Sequence, residues 1–169
     1  MTTETVRGQE QLLDGSYRDA MQRAGHLLAS RPRSEHELRS RLAGAGYEDK
    51  TIDRTVARLI ELRLLDDREF AGQWVSERAV SKGRSGDALI AELISKGVDR
   101  SVAEEAVATA GIDELAQATD LAARALSKVA GKPLEKQAQA LLGRLLRRGF
   151  PHEVARDAVR AVLPPEGWD

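Results

Sequence analysis

The chain has 169 residues, 41% of them apolar, with only two each of Trp, Tyr and Phe and no cysteine. This composition excludes a disulfide scaffold and cysteine-based metal or thiol chemistry, and it favours helices with Leu, Val and Ala cores over sheet. The formal charge of −1 (26 basic, 27 acidic residues) argues against a cationic protein that coats nucleic acid; no apolar run approaches the roughly 18 residues of a membrane span, and the opening residues lack the apolar stretch of a signal peptide.

In chain order, residues 1–15 read as a flexible N-terminal tail. Ala20, Met21, Ala24, Leu27 and Leu28 then fall at helical spacing over 16–30. After the joint Arg31-Pro32-Arg33, Ser34, Leu38, Leu42, Gly46 and Tyr47 mark a helix that stops at a glycine. A glycine four residues after the second Leu sits where a helix C-terminus needs positive φ, and the apolar residue after it can pack back on the last turn. Glu48 opens the next helix, carried by Ile52, Val56 and Leu59. Asp66, with Glu69 three positions on, reads as a capping box for a helix over 67–80, with Phe70, Ala71, Trp74, Val75 and Arg78 on its face and Phe70 and Trp74 taken as core. Beyond the joint Lys82-Gly83-Arg84-Ser85-Gly86 the pattern returns as Ser85, Leu89, Leu93, Gly97 and Val98, then Asp99, Ala103, Val107 and Ala110. A helix over 113–129 and the joint Gly131-Lys132-Pro133 lead to Gln137, Leu141, Leu145, Gly149 and Phe150, then Pro151, Ala155, Val159 and Val162. The tail 164–169 carries Trp168 in an acidic, proline-rich setting, as a peptide anchor or a disordered end.

The three glycine turns are offset by 51 and then 52 residues. The reading is an all-α fold of three tandem three-helix repeats, 16–65, 66–112 and 113–163, between the two tails. A unit near 50 residues is marginal alone, so the repeats are expected to stack as an elongated, curved array. Charge alternates along it, with the repeats at +3, −3 and +3 and the tails at −2 each.

No catalytic constellation emerges. His26, His36 and His152 have no metal-ligand spacing, and the glycine-rich joints lack phosphate-loop spacing. A non-enzymatic, cytoplasmic binder without metal or cofactor is expected. Basic residues collect instead at matching places: Arg31, Arg33, Arg39 and Arg41 around the second helix of the first repeat, Lys82 and Arg84 in the joint of the second, and Arg144, Arg147 and Arg148 at the end of the second helix of the third. Two readings stand, a solvated helix face and a face for phosphates or an acidic protein surface.

Three segments resemble the RecX family of bacterial recombination regulators: Ala24 to Leu42 with its Ser-x-x-Glu-Leu, Leu64 to Ala71 followed by Trp74-Val-Ser-Glu-Arg78 and Gly86, and Leu93-Ile-Ser-Lys-Gly-Val98; Arg147-Arg-Gly-Phe150 fits more loosely. Val98 departs from the Ile common after Lys-Gly, and the tails have no counterpart. The resemblance implies a protein that binds the RecA recombinase filament on single-stranded DNA and restrains its ATPase and strand exchange; a monomer is expected, with single-stranded DNA itself as a second candidate partner. It brings no catalytic residues. The rival readings are a helix–turn–helix DNA-binding regulator, against which the absence of Asn counts, and a general helical protein-interaction adaptor.

Overall fold

The computed structural model describes the backbone of residues 3–164 and the side chains of 15–79 and 83–164. Among the described residues there are nine α-helices and no strand: α1 (Thr3–Ser30), α2 (Glu35–Gly44), α3 (Asp49–Glu61), α4 (Asp67–Lys82), α5 (Gly86–Ser95), α6 (Arg100–Ala110), α7 (Glu114–Leu126), α8 (Leu134–Leu146) and α9 (His152–Val162). They divide into two compact units, one taking in the chain to Phe70 together with Ser95–Val98, the other Ala71–Ile94 and Asp99 onward.

In the first unit α1, α2 and α3 pack on one another. Leu38 and Leu42, one turn apart on α2, meet Ala24, Ile52, Val56, Leu59 and Leu65 in the core. The Ser34 hydroxyl starts α2 by accepting from the Glu37 N–H. The helix ends in a Schellman turn, with Tyr47 N–H bonded to Leu42 O at 3.3 Å and Gly46 N–H to Ala43 O at 2.9 Å and Gly46 at φ +90°. Helix α3 ends the same way, except that the left-handed residue is Arg63 at φ +55°, with Leu64 N–H on Leu59 O and Arg63 N–H on Ile60 O. Asp66 then caps α4, accepting from the N–H groups of Arg68 and Glu69.

The same unit includes the turn Ser95–Val98 that follows α5. Ser34 Oγ donates to Lys96 O at 2.6 Å, so one hydroxyl both starts α2 and holds this turn. Gly97, at φ +78°, lies so close that a Cβ there would stand 2.2 Å from the Cβ of His36. At the N-terminus the expected tail differs from the structure. The backbone from Thr3 is already helical, because the proline-free run Glu4 to Asp14 is rich in Glu, Gln and Leu, residues that sustain a helix without an amphipathic stripe. The C-terminal tail beyond Pro164, with Trp168, lies outside the described residues.

In the second unit α7, α8 and α9 pack mutually around Ala122, Leu141, Leu145, Phe150 and Val159. The turn after α8 repeats the first, with Phe150 N–H on Leu145 O at 3.3 Å and Gly149 N–H on Leu146 O at 2.9 Å. The serine clasp recurs too. Ser85 Oγ accepts from Ala88 N–H and donates to Gly149 O at 2.7 Å. The third member of the aligned set, Gln137, sits elsewhere. Helix α8 starts at Leu134 behind Pro133, three residues before Gln137, so Gln137 lies one turn inside the helix and its amide donates back to Lys132 O at 2.7 Å. Trp74 also departs from the expected core position: it is half-buried, its indole N–H donates to Glu92 at 3.0 Å, and the Arg78 guanidinium lies 3.9 Å over its ring.

Candidate basic site

The joint between α1 and α2 places two arginines on either side of Pro32. Proline fixes its own φ and holds the preceding residue extended, which ends α1 and lets both side chains fold back on the helix ends. Arg33 Nε donates to Leu27 O at 3.0 Å and Nη2 to Ser30 Oγ at 3.4 Å. Its Nη1 is buried with no hydrogen-bond partner among the described residues. Arg31 instead grips Glu37 through both terminal nitrogens, at 3.0 and 3.4 Å. Lys96, on the turn clasped by Ser34, meets the same carboxylate with its Nζ 2.9 Å from Oε1. Arg41 lies one turn beyond Glu37 on α2, hence on the same side of that helix. It is exposed and makes no hydrogen bond or ion pair among the described residues.

Two cations, Arg31 and Lys96, therefore hold one carboxylate, and Arg33 beside them feels the charges of Arg31, Arg41 and Glu37. The electrostatics register the crowding. Burial lowers the pKa of Arg33, the charges of Arg31 and Arg41 lower it further, and Glu37 only partly opposes them. Burial alone would raise the pKa of Glu37, but hydrogen bonds from Arg31 and Lys96, together with their charges, outweigh it and hold the carboxyl below the usual glutamate range.

The other sequence candidates are placed differently. Arg39, on the neighbouring side of α2, bonds Glu35 at 2.8 Å and Asp53 at 2.6 Å and so ties α2 to α3. Its pKa is raised by those two hydrogen bonds. In the second unit, Arg84 reaches Glu92 at 3.1 Å and Arg78 approaches the same carboxylate at 3.7 Å. The side chains of Arg144 and Arg147 make no hydrogen bond or ion pair among the described residues; Arg144 is half-buried, Arg147 exposed and folded along Gly143. Arg148 is half-buried and partnered. The side chain of Lys82 lies outside the described residues. Structure thus brings Arg31, Arg33 and Arg41 together, and commits Arg39 and Arg84 to internal carboxylates. Sequence reasoning missed Glu37 and Lys96. The i, i+4 spacing of Glu37 and Arg41 was a usable signal, whereas Lys96 is far away in the chain and only folding brings it in.

No group of three or more His, Asp or Glu is arranged to hold a metal among the described residues, and none of their helices is long and apolar enough to cross a membrane. Residues 20–59 match the family model described as RecX, first three-helix domain, and residues 66–107 match RecX, second three-helix domain. The chain is 38% identical over 149 residues to the regulatory protein RecX of Mycolicibacterium vanbaalenii, covering 83% of this chain and 80% of that protein. It is 33% identical over 152 residues to the regulatory protein RecX of Amycolatopsis mediterranei, covering 89% and 87%. In fold it is similar to the crystal structure of RecX from Lactobacillus salivarius, with a TM-score of 0.79 at 17% identity over 88% of this chain and 97% of that one.

Proposed function

The chain belongs to the RecX family of regulatory proteins, and from that premise we propose that it binds the RecA recombinase filament on single-stranded DNA and restrains its ATPase and strand exchange. It acts as a cytoplasmic monomer and by binding alone. The observation that carries this reading is the match to RecX proteins over more than four-fifths of the chain, which favours it over a helix–turn–helix regulator or a general adaptor. On the chain itself, Arg31, Arg33 and Arg41 supply a contact surface whose positive charge is only partly neutralised within the fold. Arg144, Arg147 and Arg148 supply a second basic group on the other unit. Arg39 and Arg84 support the fold through their carboxylate partners and are not counted among the contacts.

The test is filament-dependent ATP hydrolysis by RecA on single-stranded DNA. Purified protein at less than one copy per RecA is expected to slow it, and no effect at stoichiometric amounts removes the reading. Charge reversal at Arg41 and Arg144, which make no ion pair among the described residues, is expected to abolish the slowing while leaving helicity by circular dichroism unchanged.

A further inference from the structure

We propose that Arg31, Arg33, Arg41 and Lys96 form a binding site for the phosphodiester backbone of single-stranded DNA, and that Glu37 occupies it in the free protein as an internal counterion. The inference deepens the function proposed above and rests on it for the identity of the strand.

The geometry supports each part. Glu37 is held by Arg31 and by Lys96 at 3.0 and 2.9 Å, and its side chain is only 18% exposed. By formal charge it is one negative group against the four positive ones of Arg31, Arg33, Arg41 and Lys96. Arg33 is fastened by Leu27 O and Ser30 Oγ, both neutral acceptors, so its charge is positioned by neutral groups and is offset only in part, by the nearby Glu37. Arg41 stands exposed on the same side of α2 as Glu37. A single carboxylate or free phosphate ion would leave most of this charge unmatched, whereas a strand brings successive phosphates past it. Arginine forks suit phosphate oxygens, and Lys96 adds a point charge. Phosphate oxygens entering the cluster replace the Glu37 carboxylate on Arg31 and Lys96, so Glu37 lowers the affinity of the free protein for DNA.

Lys96 belongs to the turn that Ser34 clasps, so the site is complete only when that turn is docked. Glu35 provides an internal comparison. It is an acid on the same helix, but it pairs with Arg39 and stands outside the cluster.

The experiment measures binding of a fluorescent oligo-dT to the full chain, without RecA, across a salt series and with inorganic phosphate as competitor. Glu37→Gln is expected to bind the oligonucleotide several-fold tighter at low salt, while Glu35→Gln, with the same change in net charge, stays within about twofold of the parent. Arg41→Ala and Lys96→Ala are expected to bind several-fold weaker with melting behaviour unchanged; in both, Arg31 still holds Glu37. Inorganic phosphate at concentrations equal in ionic strength to the salt series is expected to compete no better than chloride. Tightening by Glu35→Gln equal to that by Glu37→Gln, no tightening by Glu37→Gln in a protein of unchanged melting behaviour, or unchanged binding by Lys96→Ala overturns the proposal. Competition by inorganic phosphate alone reassigns the site to a free anion and overturns it as well. RecA ATPase inhibition is read separately. Inhibition by a chain whose oligonucleotide binding ignores Glu37 sinks only this inference, and loss of inhibition with the binding pattern intact sinks only the reading above.

Discussion

An added carbon at position 97 meets the Cβ of His36 at 2.2 Å, on backbone held at φ +78°. At Gly46 the backbone is equally left-handed, at φ +90°, but beyond its own chain neighbours no described atom lies within 4 Å of where a Cβ would stand. The two positions separate conformational strain from steric exclusion. Gly46→Ala is expected to cost about 1 kcal/mol, the penalty of a left-handed L residue, and Gly97→Ala clearly more, about 2–4 kcal/mol, because the turn must leave α2. Urea denaturation of the two variants checks the difference, and equal midpoints would refute it. Glu37 carries a pH dependence with a definite sign. Its folded pKa lies below the ordinary glutamate value, so its contribution is complete above that value and is lost as pH falls through the folded one. Glu37→Gln is therefore expected to flatten the acid side of the stability profile below about pH 4.5, and to leave its slope near neutrality unchanged. Both glycines were readable from spacing alone. The neighbour that makes one of them irreplaceable was not, because His36 is 61 positions from Gly97.

At the scale of the element, the starts and stops of helices were the most legible features. Ser34, Asp66 and Asp113 cap as their residue types suggest, and Glu48, Asp99 and Pro151 stand at N-caps with closely similar extended backbones. Ser34 does more than cap. Fully buried, it joins the N–H of Glu37 to Lys96 O, so Ser34→Ala removes a cap and orphans a carbonyl together. About 2 kcal/mol of destabilisation is expected, with Ser34→Thr recovering part of it, as thermal melts would show. Helix α3 stops without a glycine, on Arg63 at φ +55°. Arg63→Gly should relieve that strain and raise stability by up to about 1 kcal/mol; a loss instead would mean that the exposed arginine side chain holds the turn. Register was less secure in the third set of helices. Gln137 aligned with the two serines by counting back from Gly149, yet the Pro133 start gives α8 an extra turn, since proline is well suited to the edge of a helix and Leu134 to Lys136 contain nothing to delay it.

For the molecule as a whole, a formal charge of −1 predicts little affinity for DNA, but charge is not spread evenly. The cluster of Arg31, Arg33, Arg41 and Lys96 less Glu37 amounts to three positive charges, so its contact with single-stranded DNA is expected to follow salt with a log–log slope of about −2. A slope near zero would mean no phosphate contact, and one several times steeper would require the basic residues of the second unit. Arg39 shows why counting cations in sequence overstates such a surface: two carboxylates already hold it.

The sequence by itself determined the helical class, the places of the glycine turns, the core leucines and the family. These depend on short-range periodicity and on backbone preferences that neighbouring residues express locally. Only the tertiary structure decided which of the eight basic candidates with described side chains pair with carboxylates of the fold, that Trp74 is bonded to Glu92 and stacked under Arg78, and that Lys96 shares the Glu37 carboxylate with Arg31. An ion pair is set by distance in space, and residues 59 positions apart acquire one only after a buried serine has brought a distant turn onto the start of a helix.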